Sequence, residues 1–477
     1  MNFLTASFLC FFAVTAFLYY ILPAKTQNLF LLLANAVFYL WAGPAAGAWL
    51  LGAVVISFFC AWAMEWERWK RLLLILGVLA LFGSLFVFKY LNFVTQTFFA
   101  LTGRPAPSPF ELLLPLGISF YSFSLAGYLF DVYRGKCAPE RNFLLFAAYA
   151  SFFPSILSGP INRARELLPQ LRQARRFQLE GFKSGLWRFA WGAGKKLVLA
   201  SLLAEIIEPA YAGPAAFSGG AWMIVMVAYS LYIYVDFAAY SDMAVGVAKM
   251  LGMTLPENFR APYLSRTAKS FWKKWHISLT SWFREYLYFP LGGSRKGRGR
   301  TWLNVLIVFA VSGLWHGAGL CFVIWGLLNG LYQVVGDWTR PARTRLRARL
   351  HIPEDAWYVA LFQGLFTFGL ITVAWIFFRA DSVGQAVFII KRILLVLRDG
   401  LGNVAAILPS ARKGCVLLLG LAALAAEDVA ITRGRELTIH RTSFRYWIAL
   451  AMLCTAILLL GQYGPGFQVS DFTYFQF

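Results

Sequence analysis

The sequence predicts an all-α, polytopic integral membrane protein, and three observations carry that reading. Apolar residues make up 59% of the 477, charged ones 14%, and mean hydropathy is +0.62, where a soluble chain carries roughly a quarter charged residues. Apolar runs of about 20 residues, enough to cross a bilayer as a helix, recur along the whole length. Basic residues concentrate beside those runs: 19 of the 44 lysines and arginines lie in 163–176, 266–300 and 340–349. Basic loops next to apolar segments mark the cytoplasmic side and an anionic leaflet. No nucleic-acid motif accompanies the net charge of +22, so membrane lipid rather than nucleic acid is the expected partner of this charge. Together these predict about 11–13 crossings with re-entrant and interfacial helices. Residues 1–461 form a single transmembrane domain and 462–477 an aromatic extracytoplasmic tail.

The first runs begin at Phe3, Asn28 and Ala46; a longer one covers Leu72 to Leu101, and another Phe110 to Phe130. The first has no basic leader and no clear cleavage site, so it is expected to stay as a helix. Lys25 after the first run, and Arg68, Lys70 and Arg71 after the third, put the N-terminus outside. Gly103 to Pro109 holds three prolines and ends the long run. Phe143 to Leu157 is apolar but basic at both flanks, so it cannot cross once. A re-entrant segment buried in protein fits it. Trp187 to Leu203 contains Arg188, Lys195 and Lys196, which puts its first half at the interface. Ala221 to Leu251 is a clearer span. Tyr229, Tyr232, Asp236, Tyr240 and Met243 share one helical face there, with Asp236 among tyrosine hydroxyls facing the bundle or a wet tunnel.

Phe271 to Gly319 organises the second half. Trp272, Trp275, Leu279 and Trp282 fall on one face with Lys273 and Lys274 off it, the pattern of an amphipathic or re-entrant helix at the cytoplasmic interface. Trp302 to Val335, basic at both ends, suits two short crossings or a deep hairpin. His316 lies near its middle, with no charged residue between Arg300 and Asp337. An ionisable group at that depth is costly and marks function. Charge counting therefore puts His276 near the cytoplasmic face and His316 much deeper. Trp357 to Phe378, Val416 to Ile431 and Trp447 to Leu460 cross, and Val387 to Leu397 is interfacial. Nothing basic follows the last run, so the tail lies outside; four of its last six residues, Phe472 to Phe477, are aromatic. The six cysteines are scattered without a paired spacing, most of them in apolar segments, so they read as small buried side chains rather than disulfide or metal partners.

Several ordered motifs make the sequence similar to the membrane-bound O-acyltransferase family, in its bacterial alginate O-acetylase-like branch. They are Pro115-Leu116-Gly117-Ile118-Ser119-Phe120-Tyr121, Asp131 to Gly135, Ser158-Gly159-Pro160-Ile161, Asp236-Phe237 with Tyr240 to Ala244, and Leu255 to Phe259. Phe271-Trp272 with Trp275 to Leu279, Gly313-Leu314-Trp315-His316-Gly317, Trp375 to Ala380 and the last six residues complete the set. Arg284-Glu285-Tyr286 departs slightly, since relatives often carry Asp in the middle.

The resemblance implies a helical enzyme around a central tunnel that includes Asp236, Tyr240 and Trp315. It would sit in the bacterial inner membrane. The implied reaction moves an acyl group, most often acetyl, from a cytoplasmic thioester such as acetyl-CoA to an extracytoplasmic acceptor. It carries His316 over as the catalytic histidine and His276 as the second signature position. Neutral imidazole is the right base for a hydroxyl that attacks a thioester, and a second histidine can orient substrate or polarise the carbonyl. No bound cofactor is expected, with acetyl-CoA as a substrate; Lys273 and Lys274, beside His276, are its candidate phosphate contacts. The tail resembles the aromatic-tyrosine ending of a small partner protein in a related D-alanine transfer system. On that likeness Tyr474 is the candidate first acyl acceptor, passing the group to a periplasmic partner and then to an exopolysaccharide. Peptidoglycan acetylation and teichoic-acid D-alanylation are the alternatives within the class. A transporter with a histidine proton relay is the one outside it, and it would need inverted repeats or paired carboxylates.

Overall fold

A computed structural model describes residues 1–353, 356–396, 400–434 and 444–463. The described residues form helices and no strand. Among the described residues, six helices are long and apolar enough to cross a membrane: α3 (Pro44–Ala63), α4 (Lys70–Thr102, with the turn before it), α10 (Gly219–Met250), α14 (Leu320–Arg349), α15 (Trp357–Arg379) and Ala411–Thr432. α1 (Ala6–Ile21) and Phe444–Leu460 are apolar but shorter. α2 (Ala24–Leu40), α5 (Ile118–Tyr133) and α13 (Arg298–His316) fill in between them. The polytopic helical class predicted from composition is the one observed. Leucine, phenylalanine and tryptophan side chains cover the outer faces, for example Leu79, Phe362 and Leu419, as a lipid-facing surface requires. All six cysteines are free, and Cys10, Cys415 and Cys454 lie on that exposed surface rather than inside.

α10 is the central helix, buried along most of its length. α8 (Leu179–Gly194) crosses it closely because glycines remove side chains at the contact. A Cβ on Gly185 would stand 2.5 Å from the Gly246 carbonyl oxygen, and one on Gly192 2.7 Å from that of Ala239. Small residues let helix backbones approach where water exclusion gives no drive of its own. α13 and α14 form an equally close hairpin: a Cβ on Gly313 would lie 2.2 Å from the Phe322 carbonyl oxygen and one on Gly326 2.2 Å from that of Phe309. The run expected as two crossings or a hairpin is thus two helices meeting at Gly317–Gly319, with His316 the last residue of α13. At about 1.5 Å per residue, His316 lies ~21 Å along the axis from Trp302.

The segment expected to be re-entrant is short and enclosed. α6 (Phe143–Ala150) is capped by the Asn142 side chain, which accepts from Leu145 N. The irregular stretch after it is buried throughout. Asn35, from α2, takes up its freed backbone groups. Its amide nitrogen donates to Ala148 O at 3.2 Å, and its Oδ1 accepts from Phe153 N at 3.0 Å.

The charges in residues 187–203 are paired within the protein, Lys195 and Lys196 buried and Arg188 half-buried. Between α8 and α9 (Ser201–Ala212) the helix widens into one π-helical stretch, Lys195–Ala200. The wide turn lets two neighbouring lysines both face inward. Lys195 Nζ lies 2.8 Å from Asp242 and 2.9 Å from Glu427; Lys196 Nζ donates to Asp236 Oδ1 at 2.6 Å. Arg188 joins the same group through Asp242 and Glu257. Asp236 therefore has a lysine against it. The spacing argument sees one helix and could not show which helix supplies that partner.

Removing one partner of a buried ion pair leaves the other charge uncompensated. Lys196→Ala should lower stability by about 3–5 kcal/mol, read as thermal unfolding in detergent. The double change Lys196→Met with Asp236→Leu should recover most of that loss.

Candidate active site

The two histidines meet at one tryptophan. The Trp315 ring lies 4.7 Å from the His316 ring and 6.0 Å from the His276 ring, centroid to centroid. Trp325 and Phe378 close the far side of His316 at 4.9 and 5.2 Å. Phe237, one residue after Asp236 on α10, stands edge-on to His276 at 4.7 Å. Both imidazoles are enclosed, at 1% and 2% exposure. The groove that opens on the outer surface between α1 and α8, lined by Phe12, Phe182 and Phe189, borders neither ring.

The wide separation expected between the two histidines is therefore not observed, since both rings lie against one indole. Trp272, Trp275, Leu279 and Trp282 are buried, as their shared face predicts, with Lys273 exposed and Lys274 half-buried. The helix, however, is cut in two, α11 (Ala268–Trp272) and α12 (Ile277–Phe283). His276 sits at the cut with φ 42° and ψ 54°, a left-handed conformation. A bulky non-glycine residue holds that conformation only when its surroundings fix it, and such residues cluster at functional sites.

What fixes it is Asn258. Its carbonyl accepts from Ile277 N at 2.9 Å, and its Oδ1 accepts from Ser278 Oγ at 2.6 Å. Its Nδ2 donates to Ser241 Oγ on α10 at 3.0 Å. Ser278 Oγ in turn accepts from Ile161 N at 3.0 Å. The motif fragments 158–161, 241–243, 255–259 and 275–279, scattered in sequence, are thus one bonded unit around His276.

His316 is fixed from α4. Its helix ends there, so the last carbonyls of α13 need partners. Lys89 Nζ donates to Trp315 O at 2.5 Å, and the Tyr90 hydroxyl donates to Leu314 O. The sequence reading passed over both. The signal was present: Lys89 is the one charged residue between Arg71 and Arg104, an ionisable group inside an apolar run.

On the face carrying the basic loops, Arg165 binds Glu285 with two bonds of 2.8 and 3.0 Å and reaches Asp131 at 3.3 Å. Lys136 also pairs with Glu285. Burial pushes the Glu285 carboxyl up, but these cations outweigh it and hold it at about 2. It is a fixed anion tying α5 to α7 (Ala164–Leu171) and the stretch after α12.

Of the sequence-predicted residues, the structure brings together His276, His316 and Trp315. Tyr240 is buried on α10, its ring stacked on Phe3 at 5.0 Å. Asp236 lies one residue from Phe237 and is held by Lys196. Tyr474 and the rest of 464–477 lie outside the described residues. Among the described residues, no group of three or more histidine, cysteine or carboxylate side chains is placed to hold a metal.

The fold is that of a helical membrane protein with two buried histidines against one indole, and the sequence comparisons give its class. The chain belongs to the membrane-bound O-acyltransferase family, whose sequence profile matches residues 138–380, both histidines included. It is 36% identical to a probable alginate O-acetylase of Azotobacter vinelandii over 77% of this chain and 73% of that one. It is 33% identical to a peptidoglycan O-acetyltransferase of Helicobacter pylori over 81% and 78%. It is also 32% identical to a teichoic acid D-alanyltransferase of Streptococcus thermophilus, over 56% of this chain and 69% of that one. The protein is an O-acyltransferase, and the transporter alternative falls.

Replacing Asn258 with alanine should leave buried donors unmet around a strained turn. The expected cost is about 1–3 kcal/mol in thermal unfolding, with a matching loss of acyl transfer. A variant with unchanged melting and unchanged activity would show that the turn holds itself.

Proposed function

We propose that this enzyme transfers an acetyl group from acetyl-CoA, bound from the cytoplasmic side, to an extracytoplasmic acceptor on the route to an O-acetylated exopolysaccharide of the alginate kind. The observation that carries the reading is the meeting of His276 and His316 on Trp315, deep in a helical bundle. The similarity to a probable alginate O-acetylase supports acetyl as the group. The similarity to the peptidoglycan enzyme keeps that polymer as the second reading.

In this reading His316 is the general base. As the acceptor hydroxyl attacks the thioester carbonyl carbon, Nδ1 or Nε2 of His316 takes its proton. When the C–S bond breaks, the imidazolium returns that proton to the departing CoA thiolate. His276, held in its strained turn, orients the thioester. Lys273, exposed, and Lys274, half-buried, lie close to His276 in the chain and suit the phosphates of CoA. The basic loops support a cytoplasmic donor side by the positive-inside rule. The lining of Asp236, Tyr240 and Trp315 would guide the two substrates to His316 from opposite leaflets of the inner membrane. A periplasmic acyltransferase partner would then receive the group.

His316→Ala should lower acetyl transfer by about 10²–10⁴-fold while the protein keeps its elution and melting behaviour. An active, folded His316→Ala would sink the assignment. Tyr474 is the proposed first acceptor. Mass spectrometry of the C-terminal peptide after incubation with acetyl-CoA should find it acetylated in the wild type and unmodified in His316→Ala. A fully active Tyr474→Phe with no adduct at any time would remove it from the pathway.

A further inference from the structure

The tryptophans around the two histidines differ in how their N–H groups are used. Trp272 donates to Asn329 Oδ1 at 3.1 Å, Trp282 to Phe123 O at 2.8 Å and Trp375 to the Tyr263 hydroxyl at 3.2 Å. The Nε1–H groups of Trp315 and Trp325 are buried and have no acceptor among the described residues. An unmet donor in an apolar interior is costly, and such exceptions point to a partner that arrives in function. Trp325 touches only His316 of the two histidines, whereas Trp315 touches both.

Trp315 is also held unusually firmly. Lys89 Nζ bonds its carbonyl at 2.5 Å and lies 5.8 Å from its ring centroid. The amine thus touches both the backbone and the ring face of the one residue. Phe120 and Phe123 wall the ring in at 5.6 Å each. The result is a donor fixed in advance, in a site from which water is excluded. Those are the properties that make an oxyanion contact effective.

We propose that the Trp315 Nε1–H is the oxyanion donor of the acyl transfer, with Lys89 as the positioning residue that holds it. The inference rests on the acyltransferase reading with His316 as base. The acceptor oxygen bonds to the acetyl carbonyl carbon, and the carbonyl π pair moves onto its oxygen. His316 holds the acceptor's proton. The tetrahedral oxyanion accepts a hydrogen bond from Trp315, which keeps its own proton. When the oxygen pair re-forms the carbonyl, the C–S bond breaks and the thiolate takes the proton from His316. Every atom and pair is accounted for within the two substrates and one imidazole. His276 is left to orient the donor.

The test uses the full-length enzyme in detergent or reconstituted vesicles, with CoA release from acetyl-CoA as the readout. Trp315→Phe keeps an aromatic ring and removes the donor. A second variant replaces Trp315 with β-(3-benzothienyl)alanine, which exchanges only the N–H for sulfur. Both should lower kcat by about 10²–10³-fold, with KM for acetyl-CoA within a few-fold of wild type and an unchanged melting temperature. Lys89→Met should lower kcat in the same direction and Lys89→Arg should restore part of it. Full turnover in the benzothienyl variant overturns the proposal even if Trp315→Phe misfolds. So does a loss that appears wholly in KM. A wild-type enzyme that turns over no acetyl-CoA would sink the acyltransferase reading beneath it, whereas an active wild type beside an active benzothienyl variant sinks only the role of Trp315.

Discussion

A chain inside hydrocarbon can leave the α-helix only where the rest of the protein takes up the freed backbone groups. That constraint shapes each departure from regular helix here. Asn35 serves the turns after α6. Asn258 serves the cut between α11 and α12. Lys89 and Tyr90 serve the end of α13. In each case a polar side chain from a distant part of the sequence does the work, and the second and third cases place the two histidines. The candidate site is thus assembled by the same bonds that satisfy its irregular backbone.

This explains what was legible in the sequence. Composition, run lengths and basic clusters depend on single segments meeting lipid or water, so the helical class, the enclosed break in helix after α6 and the α13–α14 hairpin could all be read. His316 stood out because no charge surrounds it in the chain. The closeness of His276 to His316 was not legible for an equally physical reason. Nothing in the local pattern announces a left-handed residue at that point, and the bonds from Asn258 and Arg260 that hold the turn come from another segment. The partners of Arg188, Lys195 and Lys196 were hidden in the same way, because their carboxylates lie on other parts of the chain.

The shared indole gives the site its economy. Trp315 belongs to the helix that ends in His316, and its ring reaches His276. A small shift of α13 would therefore move both imidazoles relative to one another. The glycine contacts of the α13–α14 hairpin and the anchors from α4 both oppose such a shift. In a close-packed interior there is no soft intermediate position for the ring to take.

The π-helical stretch at Lys195–Ala200 bears on how the protein is made. Its two lysines precede in the chain Asp236, Asp242 and Glu427, the carboxylates paired with them among the described residues. Until those emerge, burying both ammonium groups would leave them without these partners, which is costly. The packing of α8 and α9 is therefore energetically tied to α10, which is translated after them, so burial of this stretch is favoured as an event shared between neighbours.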